Sequence, residues 1–188
     1  MRESCQWATV SPVLKKYHDQ VWGRPVFTDQ ALFESLTRQV FQSGLKMQMV
    51  LAKLPEMAPV MDDWQIEAVS RYSEAKVQQL LQDPLMIKNE RKVRSVIHNA
   101  RIIQQMAQHK QSFSDWLWAQ VGFVPLDLQQ RTNTKVLVQH PVAKRVCQEM
   151  KAQGFEFVGP GTSAFFYKMQ DYLTGTGSTA SIIKSGIR

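Results

Sequence analysis

Cysteine is scarce in this chain of 188 residues: Cys5 and Cys147 are the only two, which argues against a disulfide scaffold and suits a reducing, cytoplasmic setting. Long apolar runs are also lacking, so no segment is expected to span a membrane. No apolar stretch near the N-terminus reads as a secretory signal. Alternation of apolar and polar residues, the mark of a half-buried strand, is nearly absent, and "FEFVG" at 155–159 is the one short candidate. No internal repeat occurs. What remains at this length is a helical chain forming one domain, or two small lobes that share a core.

Helical periodicity is what the sequence does contain. A helix over 29–43, with Asp29 as its cap, places Leu32, Leu36 and Val40 on one side. Further helices are expected over 46–54, from Gln65 to Leu81, from Glu90 to about His109, over 112–121 and over 141–153, the last ended by Gly154 at a C′ position. Val93, Val96, Ile97, Ala100, Ile103 and Ala107 recur at three- and four-residue spacing in the longest of these. Pro55, Pro59, Pro84, Pro125 and Pro160 punctuate the elements. The stretch from 174, rich in Gly, Ser and Thr, reads as a flexible end. The expected fold class is all-α.

Within "LFESLTRQVFQSGLKM" (32–47) one residue is out of place. Successive helical residues turn by about 100°, so Gln39 falls about 20° from Leu32, inside the apolar stripe. A buried amide without partners costs roughly 1–3 kcal/mol. Gln39 is therefore either a satisfied structural glutamine or the wall of a pocket.

The formal net charge of +7 favours polyanionic partners such as nucleic acid, although it does not bear on fold. Residues 83–101, "DPLMIKNERKVRSVIHNAR", concentrate Lys88, Arg91, Lys92, Arg94 and Arg101 against Asp83 and Glu90. Pro84 breaks the preceding helix and Asn89 is suited to cap the next, which gives helix, short turn and a cation-dressed helix start. Free amides and the dipole at such an end favour a phosphate oxygen, in a contact that positions DNA without reading its sequence. A solvated charged face is the other reading. The first 27 residues hold Trp7, Tyr17, His18, Trp22 and Phe27 outside any clear helical stripe. They form either a core corner for a wandering N-terminal arm or a slot for a planar ligand such as a flipped base.

"CQWATVSPVLKKYHDQVWGRP" (5–25) resembles the opening of the 3-methyladenine DNA glycosylase I family, a Cys-x-Trp followed by Tyr-His-Asp-x-x-Trp-Gly-x-Pro. The resemblance continues collinearly through "LFESLTRQVFQSGL" (32–45), "IKNERKVRSVIHNAR" (87–101), "GFEFVGP" (154–160) and "MQ" (169–170). It implies a helix-hairpin-helix DNA glycosylase that flips an alkylated adenine out of duplex DNA and hydrolyses its N-glycosidic bond in base-excision repair. It further implies a helical domain over about 26–109, with the hairpin at about 76–105, and a second lobe from 1–25 plus 110–188. Trp7, Tyr17 and Trp22 would hold the base, with Leu14 and Met47 also in the pocket. Lys88, Asn89, Arg91 and Lys92 would grip the DNA backbone. Leu45, after Gly44, would wedge into the gap left in the duplex. The expected partner is double-stranded DNA, and the expected state a monomer.

The chain departs from the family pattern in three places. The usual glycine of the hairpin turn is missing, where Pro84, Leu85 and Met86 stand. Cys5 and His18 match half of the family's zinc site, but no His or Cys follows Cys147, and Ser178 and Ile182 occupy the region of the other two ligands. Two ligands do not close a structural tetrahedral site, so no zinc or other cofactor is expected. At the base pocket, Gln39 stands in place of a glutamate, Met47 in place of a tryptophan and Leu14 in place of a tyrosine. A base methylated at N3 is cationic and leaves readily, and a carboxylate in a dry pocket favours that cation. Gln39 hydrogen-bonds a base edge but carries no charge and is no general base. The expected activity is reduced or shifted in lesion preference. The alternative is a non-catalytic protein that binds damaged or modified DNA.

Overall fold

Ser11 and Pro12 start the first helix, α1 (Pro12–Gln20): the Ser11 hydroxyl accepts from the Leu14 amide, and proline at N1 needs no amide partner. A 3-10 turn, Gln6–Val10, precedes it. The structure is a computed structural model and describes residues 6–22, 24–123, 126–127, 141–162 and 168–169. Cys5, Ser178, Ile182, Gln170 and the tail from 174 lie outside the described residues.

α2 (Asp29–Gln42) buries Leu32, Phe33, Leu36, Val40 and Phe41. Its cap is Thr28, whose hydroxyl accepts from the Ala31 amide at 3.2 Å, and not Asp29. Asp29 is the first helical residue, and its carboxylate instead accepts from the Ser112 hydroxyl at 2.8 Å and the Ser114 amide at 2.7 Å. It thereby serves the start of α7 (Phe113–Ala119). α3 (Met47–Val60) runs past the expected end at 54, through Pro55 and Pro59. Both prolines are exposed, while Met57 and Met61 are fully buried.

The expected helix over 65–81 is two helices, α4 (Ile66–Ser70) and α5 (Glu74–Gln82). Ser73 caps α5 by accepting from the Lys76 amide, which competes with continued helix, and Arg101 takes the Ser70 and Tyr72 carbonyls at 3.0 and 2.8 Å. α6 (Glu90–Gln108) is the central element, capped by Asn89 as expected and packed on α2, α4, α5 and α7. α8 (Pro141–Ala152) ends at Gly154 with φ +93°, and the Phe155 amide returns to the Met150 carbonyl at 3.0 Å. "FEFVG" is not a strand: Phe157 has φ +55°, and the segment lies as a loop along α6. The strands described are the two-residue pair β1 (Leu126–Asp127) and β2 (Lys168–Met169), parallel to each other. The fold is all-α in class. One buried cluster runs from Leu32 through Val96 and Ile103 to Phe113, Val146 and Val158. No described helix is long and apolar enough to cross a membrane.

α5 and α6 are tied by Arg94, which donates to both carboxylate oxygens of Glu74 at 2.8 and 2.6 Å and to Glu90 at 2.8 Å. The guanidinium holds the Glu74 pKa down to about 2 from its ordinary 4.5. Because the folded-state value is depressed, the contribution of this tie is present above pH 4.5 and is lost as pH falls through about 2. Thermal melts of the protein and of Glu74→Gln at low salt are expected to differ near neutrality and to converge toward pH 2. Both partners are exposed, so the difference is small and fades in salt. A constant difference across this range would show that Glu74 matters through packing and not through its charge.

Candidate functional site

The N-terminal aromatic residues meet because the chain doubles back after α1. The amides of Val21 and Trp22 both donate to the Tyr17 carbonyl at 2.9 Å, which returns Trp22 over Tyr17. Their ring centroids lie 6.0 Å apart. Trp7, from the 3-10 turn, completes a triangle at 5.2 Å from Trp22 and 6.5 Å from Tyr17, and meets the His18 ring at 5.4 Å. These contacts are tilted or edge-on, with Tyr17 buried and Trp7 and Trp22 half-buried. Leu14, one turn before Tyr17, is buried. His18 turns its Nδ1 to the Asp19 carboxylate at 3.0 Å.

α1 packs on α3, which begins with the half-buried Met47, and α3 packs on α2. Arg38 links α2 to the aromatic triangle: its guanidinium lies 5.3 Å from the Tyr17 ring centroid and donates to the Ser35 hydroxyl at 3.0 Å. Burial pushes the Tyr17 phenol up in pKa, while the nearby Arg38 guanidinium pulls the other way. No described residue accepts from the buried Tyr17 hydroxyl. Gln39 follows Arg38 in α2, half-buried, and its amide makes no hydrogen bond to any described residue. The carboxylates of the surrounding helices are engaged elsewhere, Asp19 with Lys15 and His18, Asp29 with α7, Glu34 with Gln30 and Glu56 with Lys53. The structure thus brings three aromatic rings and the Arg38 cation together, with Gln39 the next residue of α2.

The hairpin closes without glycine. Asp83 supplies both halves of the turn, its carbonyl accepting from the Met86 amide at 3.2 Å and its carboxylate from the Leu85 amide at 2.8 Å. Lys53 of α3 donates to the Pro84 carbonyl at 3.3 Å and so braces the turn. Of the cations expected here, Lys88 is exposed at the α6 start, and Arg91 is exposed with its guanidinium 5.0 Å from the Phe157 ring centroid. Asn89 is committed to capping, its side chain accepting from the Lys92 amide at 3.1 Å. Lys92 does not face solvent: it is 4% exposed and donates to the Phe41 and Ser43 carbonyls. Arg94 and Arg101 hold other helices, as described above. Gly44 has φ +74° in the turn after α2, and Leu45 follows it, exposed.

The profile of the methyladenine glycosylase family matches residues 7–172. The chain belongs to this family. DNA-3-methyladenine glycosylase 1 of Escherichia coli (strain K12) is 30% identical over 157 residues, 84% of either chain. The crystal structure of a glutamate-to-glutamine mutant of 3-methyladenine DNA glycosylase I from Staphylococcus aureus superposes with a TM-score of 0.80 at 28% identity, covering 89% of this chain and 90% of that one. A tyrosine-to-phenylalanine form of 3-methyladenine DNA glycosylase I in complex with 3-methyladenine gives a TM-score of 0.80 at 27% identity, with the same coverage of 89% and 90%.

In this member of the methyladenine glycosylase family, sequence reasoning brought Trp7, Tyr17 and Trp22 together but passed over Arg38. The signal was available, since Arg38 is a cation directly before the one amide of the apolar stripe. Its reach to Tyr17 depends on how α1 and α2 are placed by α3, which periodicity does not give.

Proposed function

We propose that this family member acts on duplex DNA as a 3-methyladenine DNA glycosylase, drawing an alkylated adenine out of the helix and hydrolysing its N-glycosidic bond at a reduced rate. The observation that carries the reading is the triangle of Trp7, Tyr17 and Trp22, with Arg38 over Tyr17 and, next to it in α2, a Gln39 amide that bonds no described residue. The rings would stack on the base, and Gln39 would both donate to and accept from its edge. Met47 would offer a polarizable thioether, and Leu14 apolar packing. N3 methylation makes the base cationic and weakens the bond to the sugar, so departure of the base needs little general acid help. Water then captures the sugar cation. Lys88 and Arg91 would meet phosphates at the α6 start, and Leu45 would fill the gap in the duplex.

The reading includes a monomer of two lobes, 26–109 and 1–25 plus 110–188, sharing the core described above, and a cytoplasmic location. It includes no structural zinc. His18 already turns Nδ1 to Asp19, and no ligand side chain stands at Ser178 or Ile182 to complete a set with Cys5. Elemental analysis showing stoichiometric zinc would overturn that part.

One observation favours a second reading, in which the protein binds damaged DNA without cleaving it: the pocket has an amide and the Arg38 cation where a cationic base gains most from a carboxylate. The test is incubation with dimethyl-sulfate-methylated duplex, with free 3-methyladenine and DNA affinity both measured. Release above the uncatalysed rate is expected. Salt-sensitive binding without release would transfer the function to the second reading, and absence of binding at low salt would sink both.

A further inference from the structure

We propose that Lys92 is a positioning residue: its ammonium, carried by the hairpin helix into the C-terminal end of the pocket helix, fixes the Ser43–Leu45 turn and so couples DNA docking to entry of the base. This rests on the function proposed above and goes beyond the expectation that Lys92 touches DNA.

The geometry is specific. Lys92 Nζ lies 2.7 Å from the Phe41 carbonyl and 2.6 Å from the Ser43 carbonyl, residues at the last turn of α2 and just past it. A helix end presents carbonyls without intrahelical donors and carries the negative pole of the dipole, so an ammonium there replaces the missing donors. Lys92 is itself held, because its amide is taken by the Asn89 cap. The clamp therefore joins the first turn of α6, where Lys88 and Arg91 are displayed, to a turn that carries Gly44 at φ +74° and the exposed Leu45. Gln39 lies in the same last turn of α2, its carbonyl accepting from the Ser43 amide at 3.0 Å.

Charge makes this more than packing. A buried ammonium is costly unless its donors are satisfied, and burial lowers the Lys92 pKa. Both described acceptors are backbone carbonyls, groups whose position is the conformation of the turn itself. An apolar chain of similar length would fill the same volume but leave those carbonyls without this donor and the turn free to shift.

The experiment compares the protein with Lys92→Met and Lys92→Arg in salt titrations, on a dimethyl-sulfate-methylated duplex and its unmethylated parent. Lys92→Met is expected to keep the slope of log affinity against log salt on the parent duplex, because no phosphate contact is lost. Its preference for methylated over parent DNA is expected to fall roughly tenfold or more, the loss of a charged hydrogen bond at the turn. Lys92→Arg, which still donates to both carbonyls, is expected to recover part of that preference. A slope reduced by about one would make Lys92 a phosphate contact, and an unchanged preference would make it a spectator; either overturns the proposal.

Lysine labelling of the unmodified protein guards against a variant that does not fold. Lys88 is expected to label and to be protected by DNA, while Lys92 stays unlabelled with and without DNA. Labelling of Lys92 in free protein would overturn the clamp. If the unmodified protein has no salt-sensitive DNA affinity, the proposed function fails, whereas the labelling result still judges the clamp.

Discussion

Gln39→Glu is expected to raise release of 3-methyladenine from methylated duplex by roughly 10- to 150-fold, the equivalent of about 1.5–3 kcal/mol for regaining one charged hydrogen-bond partner. Four features set the direction. The methylated nucleotide is cationic and its charge passes to the sugar as the bond breaks and the base leaves neutral, so an anion beside the breaking bond stabilises the transition state more than an amide does. Arg38 places a positive charge 5.3 Å from the Tyr17 ring centroid, which opposes a cation stacked there, and a carboxylate at the next position offsets that field. The amide of Gln39 has no hydrogen bond to a described residue, so the replacement breaks no described hydrogen bond. The side chain is half-buried, so an ionised carboxylate retains part of its hydration and the fold should tolerate it. Affinity for undamaged duplex should stay nearly constant, because the hairpin is untouched. Unchanged release together with intact DNA binding would show that position 39 does not reach the base. Release equal to that of the original protein on a neutral lesion, but higher on methylated DNA, would locate the effect in charge and not in shape.

The helices were legible because their signals are local. Val93 through Ala107 recur at helical spacing, Asn89 caps and Gly154 terminates, and each of these works over one or two turns of chain. The misreadings have local competition at their root. Thr28 and Asp29 are both good caps, and the hydroxyl took the role because the carboxylate has distant partners in Ser112 and Ser114 that no local pattern announces. Pro55 and Pro59 should end α3 by propensity, yet burial of Met57 and Met61 outweighs the lost hydrogen bonds. Ser73 divides the segment 65–81 because a capped new helix, with Arg101 on the Ser70 and Tyr72 carbonyls, satisfies the break.

The candidate site was legible in residue type and less so in electrostatics. A run of cations does not say which of them are spent. Five basic side chains over residues 83–101 look alike in sequence, but Lys92, Arg94 and Arg101 face the protein's own carbonyls and carboxylates, while Lys88 and Arg91 face outward. That division depends on contacts over spans of 20 to 51 residues. It leaves the hairpin with fewer outward charges than its composition suggests, and it turns one apparent DNA contact into a link between two parts of the site. Gln39 was visible as an inward amide; that a cation stands directly before it and over Tyr17 was not.

Asn99→Ala is expected to destabilise the fold by about 2–4 kcal/mol, a loss seen as a fall in melting temperature on the order of 10 °C. Asn99 is 1% exposed in the middle of α6 and pairs with one residue of the 154–158 loop on both sides. Its Nδ2 donates to the Glu156 carbonyl at 3.1 Å, and its Oδ1 accepts from the Glu156 amide at 2.8 Å. One amide side chain thus closes the same two bonds that a neighbouring strand would close. Alanine removes both bonds and leaves a polar lining without partners, which costs more than the bonds contribute net. Ser95 donates to the Glu156 carboxylate one turn earlier on α6, so Ser95→Ala should cost less, since an exposed carboxylate is rehydrated easily. The loop has a second anchor in Phe155, whose ring lies 5.1 Å from Phe113. If melting of Asn99→Ala falls by less than about 2 °C, roughly half a kcal/mol, that aromatic contact and not the amide holds the loop. The same variant should weaken DNA binding as well, because the loop presents the Phe157 ring on which the Arg91 guanidinium rests.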